Sequence, residues 1–559
     1  MLPIPVPSPQ QRLRIERILA WGLASVAMAA VLCFARKVWQ TNDDIGMAMI
    51  AGGYGIASAP SAGLVFSNVA WGDLLAALPK LGGIEPYSLL TYCALLASML
   101  TIALAMHRRG APPLLGAALL AAIFLPTLAT PQFTLTSVYL AAAGLALLIA
   151  WKDSRSWLPL CLAGLLLVAA GLVRFLEMGF VVAVSLPFLW AERSQRLRRS
   201  WIAVAAAVLI ALVAAHLLDA RYYGGEDWAA FRQMAPVRML FTDYSLYPYF
   251  VAYPEAAAQG PLHASDLALV SQWFYADPQV FTPAALAAPL QSVQWSSRAL
   301  LNLSMSPHLL ALLNDPQLMA LLGLLVVALL LLRRRAGPPL LALALLLTAV
   351  VALQLLGRSG MVRVYMPAAA TLAVLYLLLA GPDQRVGVRA VGGLLLVGVV
   401  GLSLYGLYPR MHGADKQRQT LEAALCDQPQ DRLWVTWGNS AFPFQILYRP
   451  GREARPRCDL HFYSLGSLEL APFAIDEVRR RTGAPDLVSA LLQGKEIYIF
   501  AEPYRLQMLQ GYFAAHYKTG LNWEQRLQLQ HLALYALHAS GPPSPVKPPA
   551  APVQEEPGN

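Results

Sequence analysis

The chain has 559 residues, 57% of them hydrophobic and only 13% charged, with a mean hydropathy of +0.50. A soluble domain carries about 25% charged residues, so this composition excludes a water-soluble globular protein and predicts a polytopic membrane protein. The net charge of +10 is concentrated in short loops between apolar runs, which argues against nucleic-acid binding.

Residues 1–17 are short, proline-containing and basic, with Arg12, Arg14 and Arg17. The apolar run that follows, 18–34, lacks a small-residue cleavage site and more runs come after it, so it reads as an uncleaved first span. Further runs recur at 87–106, 113–128, 137–150, 157–173, 178–190, 201–218, 318–332, 339–356, 365–380 and 391–407. These make about eleven candidate helices, each near the roughly 20 residues that a bilayer needs or a little short of it.

Charge predicts the orientation. With the N-terminus inside, the inner segments are 1–17, 107–110, 151–156, 191–200, 333–337 and 381–389, holding sixteen Lys and Arg against four acids. Every inner loop is basic, as the positive-inside rule demands. The N-terminus is then cytoplasmic and the C-terminal part extracytoplasmic.

Three outer regions are too long to be mere connections. The first, 36–86, opens with Arg36, Lys37 and the acidic pair Asp43–Asp44, and its 66–81 portion has the spacing of a short amphipathic helix on the interface. The second, 219–316, is rich in Trp and Tyr and holds Asp227, Asp243 and Glu255; most of its rings read as residues resting on the membrane interface. The third, 409–541, reads as a small α/β domain outside the membrane, with strands at 433–437 and 497–500 and helices at 474–482 and 503–517. The remaining 542–559 is Pro-rich and reads as a disordered tail. The body between, 18–408, is the transmembrane domain, with no internal repeat.

Of the five cysteines, Cys33, Cys93 and Cys161 fall in apolar runs and read as inert buried thiols. Cys426 and Cys458 fall in the polar C-terminal part, where an oxidising compartment would let them pair; unpaired thiols are the alternative. No CxxC, HExxH or Cys/His cluster suggests structural zinc.

The residues that could carry chemistry gather in the outer regions. Asp43 and Asp44 have a plain structural reading, in which Asn42 or Asp43 caps a helix over 45–51. Adjacent residues do not point the same way on a helix, so one acid could serve the helix while the other faces a cavity. Arg358 and Arg363 stand before a late span; snorkelling to headgroups is the plain reading of Arg358. Arg174 and Glu177 have the i, i+3 spacing of an ion pair. Asp243 is the residue of the second outer region to test as a second acid, with Glu177 another. His216 and His308 read as structural, Asn302-Leu303-Ser304 matches the glycosylation pattern only weakly, and Gly52-Gly53-Tyr54-Gly55 follows no strand and reads as a flexible segment.

A first span, then an outer loop that opens with an acidic pair and continues through a short interfacial helix, resembles the GT-C membrane glycosyltransferases. So does the outer stretch from Arg358 through Arg363-Val364-Tyr365-Met366-Pro367. The resemblance implies an all-α polytopic membrane fold and transfer of a sugar from a polyprenyl-phosphate carrier to a lipid, glycan or protein acceptor, on the extracytoplasmic face of a membrane such as a bacterial inner membrane. It implies a catalytic base at Asp43 or Asp44. Chemistry asks separately for cations on the phosphate leaving group, and Arg358, Arg363, Arg174 and Lys37 are the candidates. A divalent metal could sit on the acidic pair with a further acid, but the ligand set is thin and no metal site is assigned. The rival expectations are a lipid-linked glycan transporter or flippase, a glycan polymerase or ligase, and a non-enzymatic scaffold.

Overall fold

The computed structural model describes residues 9–151, 156–191, 195–304, 314–332, 336–358, 362–382, 385–412, 414–438, 442–451, 455–529 and 532–541. His308 and the Pro-rich tail at 542–559 lie outside the described residues, as do residues 359–361 of the arginine-containing stretch. The chain folds as a helical membrane body with a mixed α/β unit at its C-terminal end.

The body is built from α1 (Pro9–Phe34), α4 (Pro86–Arg109), α5 (Pro113–Ala129), α6 (Phe133–Ala150), α7 (Leu158–Ala191) and α8 (Gln195–Tyr223), with the short helices α2 (Asn42–Gly52) and α3 (Val69–Ala77) between α1 and α4. After α9 (Ala229–Thr242) and α10 (Ala264–Ser271) come α11 (Pro316–Leu332), α12 (Gly337–Leu355), α13 (Val362–Ala380) and α14 (Val386–His412). Among the described residues, eight helices are long and apolar enough to cross a membrane, and α5 and α11 are shorter apolar helices. Helices α5, α6 and α13 form the centre: nearly all of α5, all of the most apolar stretch of α6 and 89% of that of α13 are buried. The others turn leucines such as Leu100, Leu165, Leu209 and Leu394 outward, as a lipid-facing surface requires.

The 34 residues of α7 hold the two spans read at 157–173 and 178–190, as two helices that meet at a kink. Straight, α7 would be about 51 Å long, against a hydrocarbon thickness of about 30 Å. It is broken at Arg174, whose backbone (φ −160°, ψ 99°) is not helical.

Four of the six basic segments that the charge pattern groups together, 1–17, 107–110, 151–156 and 381–389, meet at one end of the bundle through their described residues. Arg389 pairs with Glu16 at 3.4 Å, Arg108 donates to the Ala150 carbonyl and covers the Trp151 ring, and Arg109 donates to the Leu378 carbonyl.

The opposite end carries the α/β unit. After α15 (Ala414–Cys426) come β1 (Leu433–Trp437), β2 (Phe462–Leu465), α16 (Pro472–Thr482), α17 (Leu487–Leu492), β3 (Ile497–Ala501), α18 (Pro503–Tyr517), β4 (Gly520–Leu529) and β5 (Leu532–Ser540). The strand order is β2-β1-β3-β5-β4, with β1 parallel to β2 and β3, and β5 antiparallel to β3 and β4. One face, with Trp434, Phe442, Phe462 and Phe500, joins the core that continues into the membrane body. The other face packs on residues 229–304 through a second core: Phe274 lies 5.6 Å from Trp437, and Phe281 stacks on Tyr512 at 5.5 Å. The aromatic outer region is therefore no interfacial belt. Trp228, Tyr249, Phe274 and Tyr275 are buried between two protein layers.

Two further expectations, on the Gly52–Gly55 segment and on the three apolar-run cysteines, are corrected here. The Gly52–Gly55 segment is a docking point and not a flexible one: Tyr54 stacks on Tyr448, Arg455 lies 3.8 Å over the Tyr54 ring, and Phe462 donates its N–H to the Gly55 carbonyl. Gly53 ends α2 with φ 63°, and a Cβ there would meet Pro60 at 2.4 Å. Cys33, Cys93 and Cys161 are exposed on the outward face of the bundle, because each falls on a helix side that no neighbour covers. The Asn302 amide is buried and donates to the Leu355 carbonyl at 3.0 Å, so the glycosylation pattern is used structurally. Cys426 and Cys458 form a disulfide with Cα atoms 5.7 Å apart, joining α15 to the segment that docks on Tyr54.

Candidate active site

The acidic pair divides its labour. Helix α2 starts at Asn42, with Thr41 at the cap position in extended conformation, so neither Asn42 nor Asp43 is the cap. Thr41 does not cap through its side chain; its hydroxyl donates to Asp44 Oδ2 at 2.8 Å. Asp44 Oδ1 accepts from the Tyr87 hydroxyl and from the Phe133 N–H, both at 2.9 Å. Asp44 has no exposed surface. Burial pushes its carboxyl up to about 7, against the three donors that pull it down. This carboxylate ties α2 to the N-terminal turns of α4 and α6.

Asp43, one position along, leaves that interior. It lines a narrow cleft between α2 and the α/β unit, with Phe66 beside it and Phe444, Ser464, Ser467 and Leu468 opposite. Arg363 Nη1, in the first turn of α13, lies 3.3 Å from Asp43 Oδ2. Burial raises the Asp43 carboxyl above its ordinary range, Arg363 and Arg174 pull it back, and Asp243 pushes it up. Two arginines and a second acid, from sequence positions 131 to 320 residues away, thus converge on Asp43.

Arg174 reaches this place because α7 breaks there. Three carbonyls at the break are taken up: Val173 by the Ser67 hydroxyl at 2.8 Å, Leu172 by the Asn68 N–H at 2.9 Å, and Arg174 by the Ser137 hydroxyl at 2.9 Å. The guanidinium donates to the Phe66 carbonyl and lies over the Phe133 ring at 5.2 Å. It also pairs with Glu177 at 2.9 Å, the i, i+3 bridge that the spacing allows. Glu177 is committed to that bridge. On the membrane side of Arg174 lies a cavity of about 410 Å³ between α7 and α8, lined by Leu172, Phe175, Leu176, Leu209, Leu212 and Val213, with His216 and Asp219 at its polar rim. Phe66 lines both this cavity and the Asp43 cleft.

The remaining candidates are placed less centrally. Asp243 pairs with Arg238 at 3.4 Å and also acts on Asp43. The Arg358 guanidinium lies 5.0 Å over the Tyr244 ring. Lys37 is half-buried beside Cys33, burial lowers its ammonium, and it is not among the groups that act on Asp43. A cation on the acidic pair would meet Asp43 alone, since both Asp44 oxygens are already taken by donors.

Sequence reasoning missed Tyr87, the Phe133 N–H, Ser464 and Ser467, for which no local signal exists. Thr41 had one: Thr41-x-x-Asp44 has the spacing of a capping box. Tyr365 lies inside the arginine-containing stretch, and its hydroxyl is buried with no hydrogen-bond partner.

No protein-family model matches the chain, and no curated protein matches it in sequence. Among solved structures, it is similar to ArnT. That structure, from Cupriavidus metallidurans with undecaprenyl phosphate bound, is 14% identical; the match covers 93% of this chain and 97% of the other, with a TM-score of 0.35.

Proposed function

We propose that this membrane protein transfers a sugar from a polyprenyl-phosphate carrier to an acceptor hydroxyl, on the face that carries the α/β unit, with the basic end of the bundle in the cytoplasm. The observation that supports this most is the pairing of two chambers across Phe66: a mainly apolar cavity that Arg174 lines, and a narrow cleft lined by Asp43, which pairs with Arg363. An isoprenoid chain suits the apolar walls. Its phosphate then meets Arg174 and Arg363, whose planar forks bind phosphate oxygens in pairs.

In this reading Asp43 is the general base. The acceptor oxygen attacks the anomeric carbon, its proton passes to the Asp43 carboxylate, and the bond from that carbon to the phosphate oxygen breaks. Charge building on the departing phosphate is held by the two guanidinium groups. The Asp43–Arg363 pair keeps the base ionised until the phosphate arrives and shares the guanidinium. Asp44 positions the helix that presents the base and does not react. The unpartnered Tyr365 hydroxyl is free to take a polar atom of the bound donor.

The test is transfer of label from a radiolabelled polyprenyl-phosphate sugar by the reconstituted full-length protein. Asp43→Asn should abolish transfer while the labelled carrier still binds, since it removes proton acceptance but little volume. Arg363→Ala should weaken carrier binding. Full transfer by Asp43→Asn, or translocation of the intact lipid-linked sugar without its release, would overturn the reading; the second result identifies a flippase.

A further inference from the structure

We propose that His263, Asp266 and His516 form a zinc site that clamps the second outer region to the α/β unit. The three side chains come from segments about 250 residues apart, and their ligand atoms all lie within 4.8 Å of one another. His263 immediately precedes α10, Asp266 sits in the first turn of α10, and His516 is near the end of α18. Two imidazoles and one carboxylate are a donor set that zinc takes at about 2.0–2.2 Å per bond, with water completing the tetrahedron.

The pre-organisation is uneven. Asp266 is 1% exposed, and its Oδ1 lies 3.0 Å from His516 Nε2. Its Oδ2 accepts the His263 N–H at 2.8 Å, which fixes the carboxylate plane. The His516 ring is held against Tyr512 at 4.7 Å, and the Tyr512 hydroxyl is anchored on buried Asp277 at 2.6 Å. His263 is the exposed member, and its ring lies 5.8 Å from that of His516. Ligand atoms around tetrahedral zinc stand about 3.3 Å apart, so a turn of the His263 side chain closes the set from the solvent side.

Without a cation the same groups have a structural use. His263 and Asp266 make a reciprocal capping box on α10, and Asp266 bonds His516. That use does not require two imidazoles around one carboxylate buried at an interface. A divalent ion there neutralises a carboxylate that is otherwise costly to bury, and holds in place the region that supplies Asp243, which acts on Asp43. The clamp is independent of the sugar-transfer reading.

The full-length protein in detergent is stripped with EDTA, incubated with zinc chloride, desalted, and its metal measured by mass spectrometry alongside thermal unfolding. Uptake of about one zinc per chain with a raised Tm is expected, falling at least tenfold in affinity in both His263→Ala and His516→Ala. His107→Ala, an exposed side chain at the far end of α4, should bind as the unaltered protein does. His263→Ala changes an exposed side chain, so its folding is not in question if His516→Ala proves unstable. No zinc uptake by the stripped protein, or undiminished uptake by His263→Ala, would sink the proposal.

Discussion

Two neighbouring aspartates with the same chemistry do different work because one turn step on α2 separates an interior from a cleft. Asp44 accepts three hydrogen bonds and has no exposed surface, whereas Asp43 faces an arginine across an open seam. Asp44→Ala should therefore leave three donors unmatched and cost about 3 kcal/mol or more of stability, read as lower Tm and abundance, while Asp43→Asn should leave Tm unchanged or slightly higher. Identical Tm losses in the two variants would contradict the division. The pH dependence has a definite sign. A base raised above the ordinary carboxylate range loses activity as pH falls through its raised pKa, so kcat/KM should decline on the acid side above the pH of a solvated aspartate. Removing the negative neighbour with Asp243→Asn should move that limb to lower pH, and Arg174→Gln should move it to higher pH; no shift in either would separate these groups from the base. For Asp44, folded pKa about 7 against about 3.9 unfolded means that the native state holds the extra proton between those values. Its contribution to stability is full below the unfolded value and is lost as pH rises toward 7. Asp44→Asn should flatten that part of the Tm–pH curve.

At the level of elements, the break in α7 is the feature on which the site depends. The apolar runs on either side of Arg174 to Glu177 are legible in the sequence as two spans, and the polar residues between them as a boundary. The sequence does not say that Ser67, Asn68 and Ser137 would supply the donors that make a non-helical residue tolerable there. Ser67→Ala and Ser137→Ala should each cost about 1 kcal/mol in unfolding experiments, and together they should weaken carrier binding by loosening Arg174. Unchanged binding in the double variant would count against the role of the break. The strands show the same limit. β1 and β3 announce themselves as short apolar runs bounded by polar residues, and both were expected. β5 (Leu532–Ser540) reads equally well as an apolar helix, and β4 (Gly520–Leu529) is too polar to stand out. β4 is polar because it is the sheet edge, with one side in solvent.

Across the whole molecule, the α/β unit is held on the membrane body by the core that runs from one sheet face into the helices and by Arg455, which bridges Glu85 at 2.9 Å and covers Tyr54, while the Cys426–Cys458 disulfide braces the docking segment from within the unit. The disulfide closes a loop of 32 residues, worth roughly 3–4 kcal/mol by chain entropy. Reduction, or Cys458→Ser, should lower Tm accordingly and loosen the Asp43 cleft; alkylation of both thiols in the unreduced folded protein would contradict the bond. A reporter active only outside the cytoplasm should work after Arg410 and fail after Arg199, and the reverse at either site would overturn the proposed orientation. The sequence by itself determined that the chain is a membrane protein, where its apolar runs fall, which loops are basic and which segments are too long to be turns. These are one-dimensional properties: hydropathy over a bilayer's thickness and charge beside it. Only the tertiary structure decided which of two adjacent acids faces a cleft, which of four cations meets it, and that the aromatic outer region is core and not membrane belt. Those outcomes depend on donors and walls contributed by residues tens to hundreds of positions away, and no local pattern encodes which partner a side chain will find.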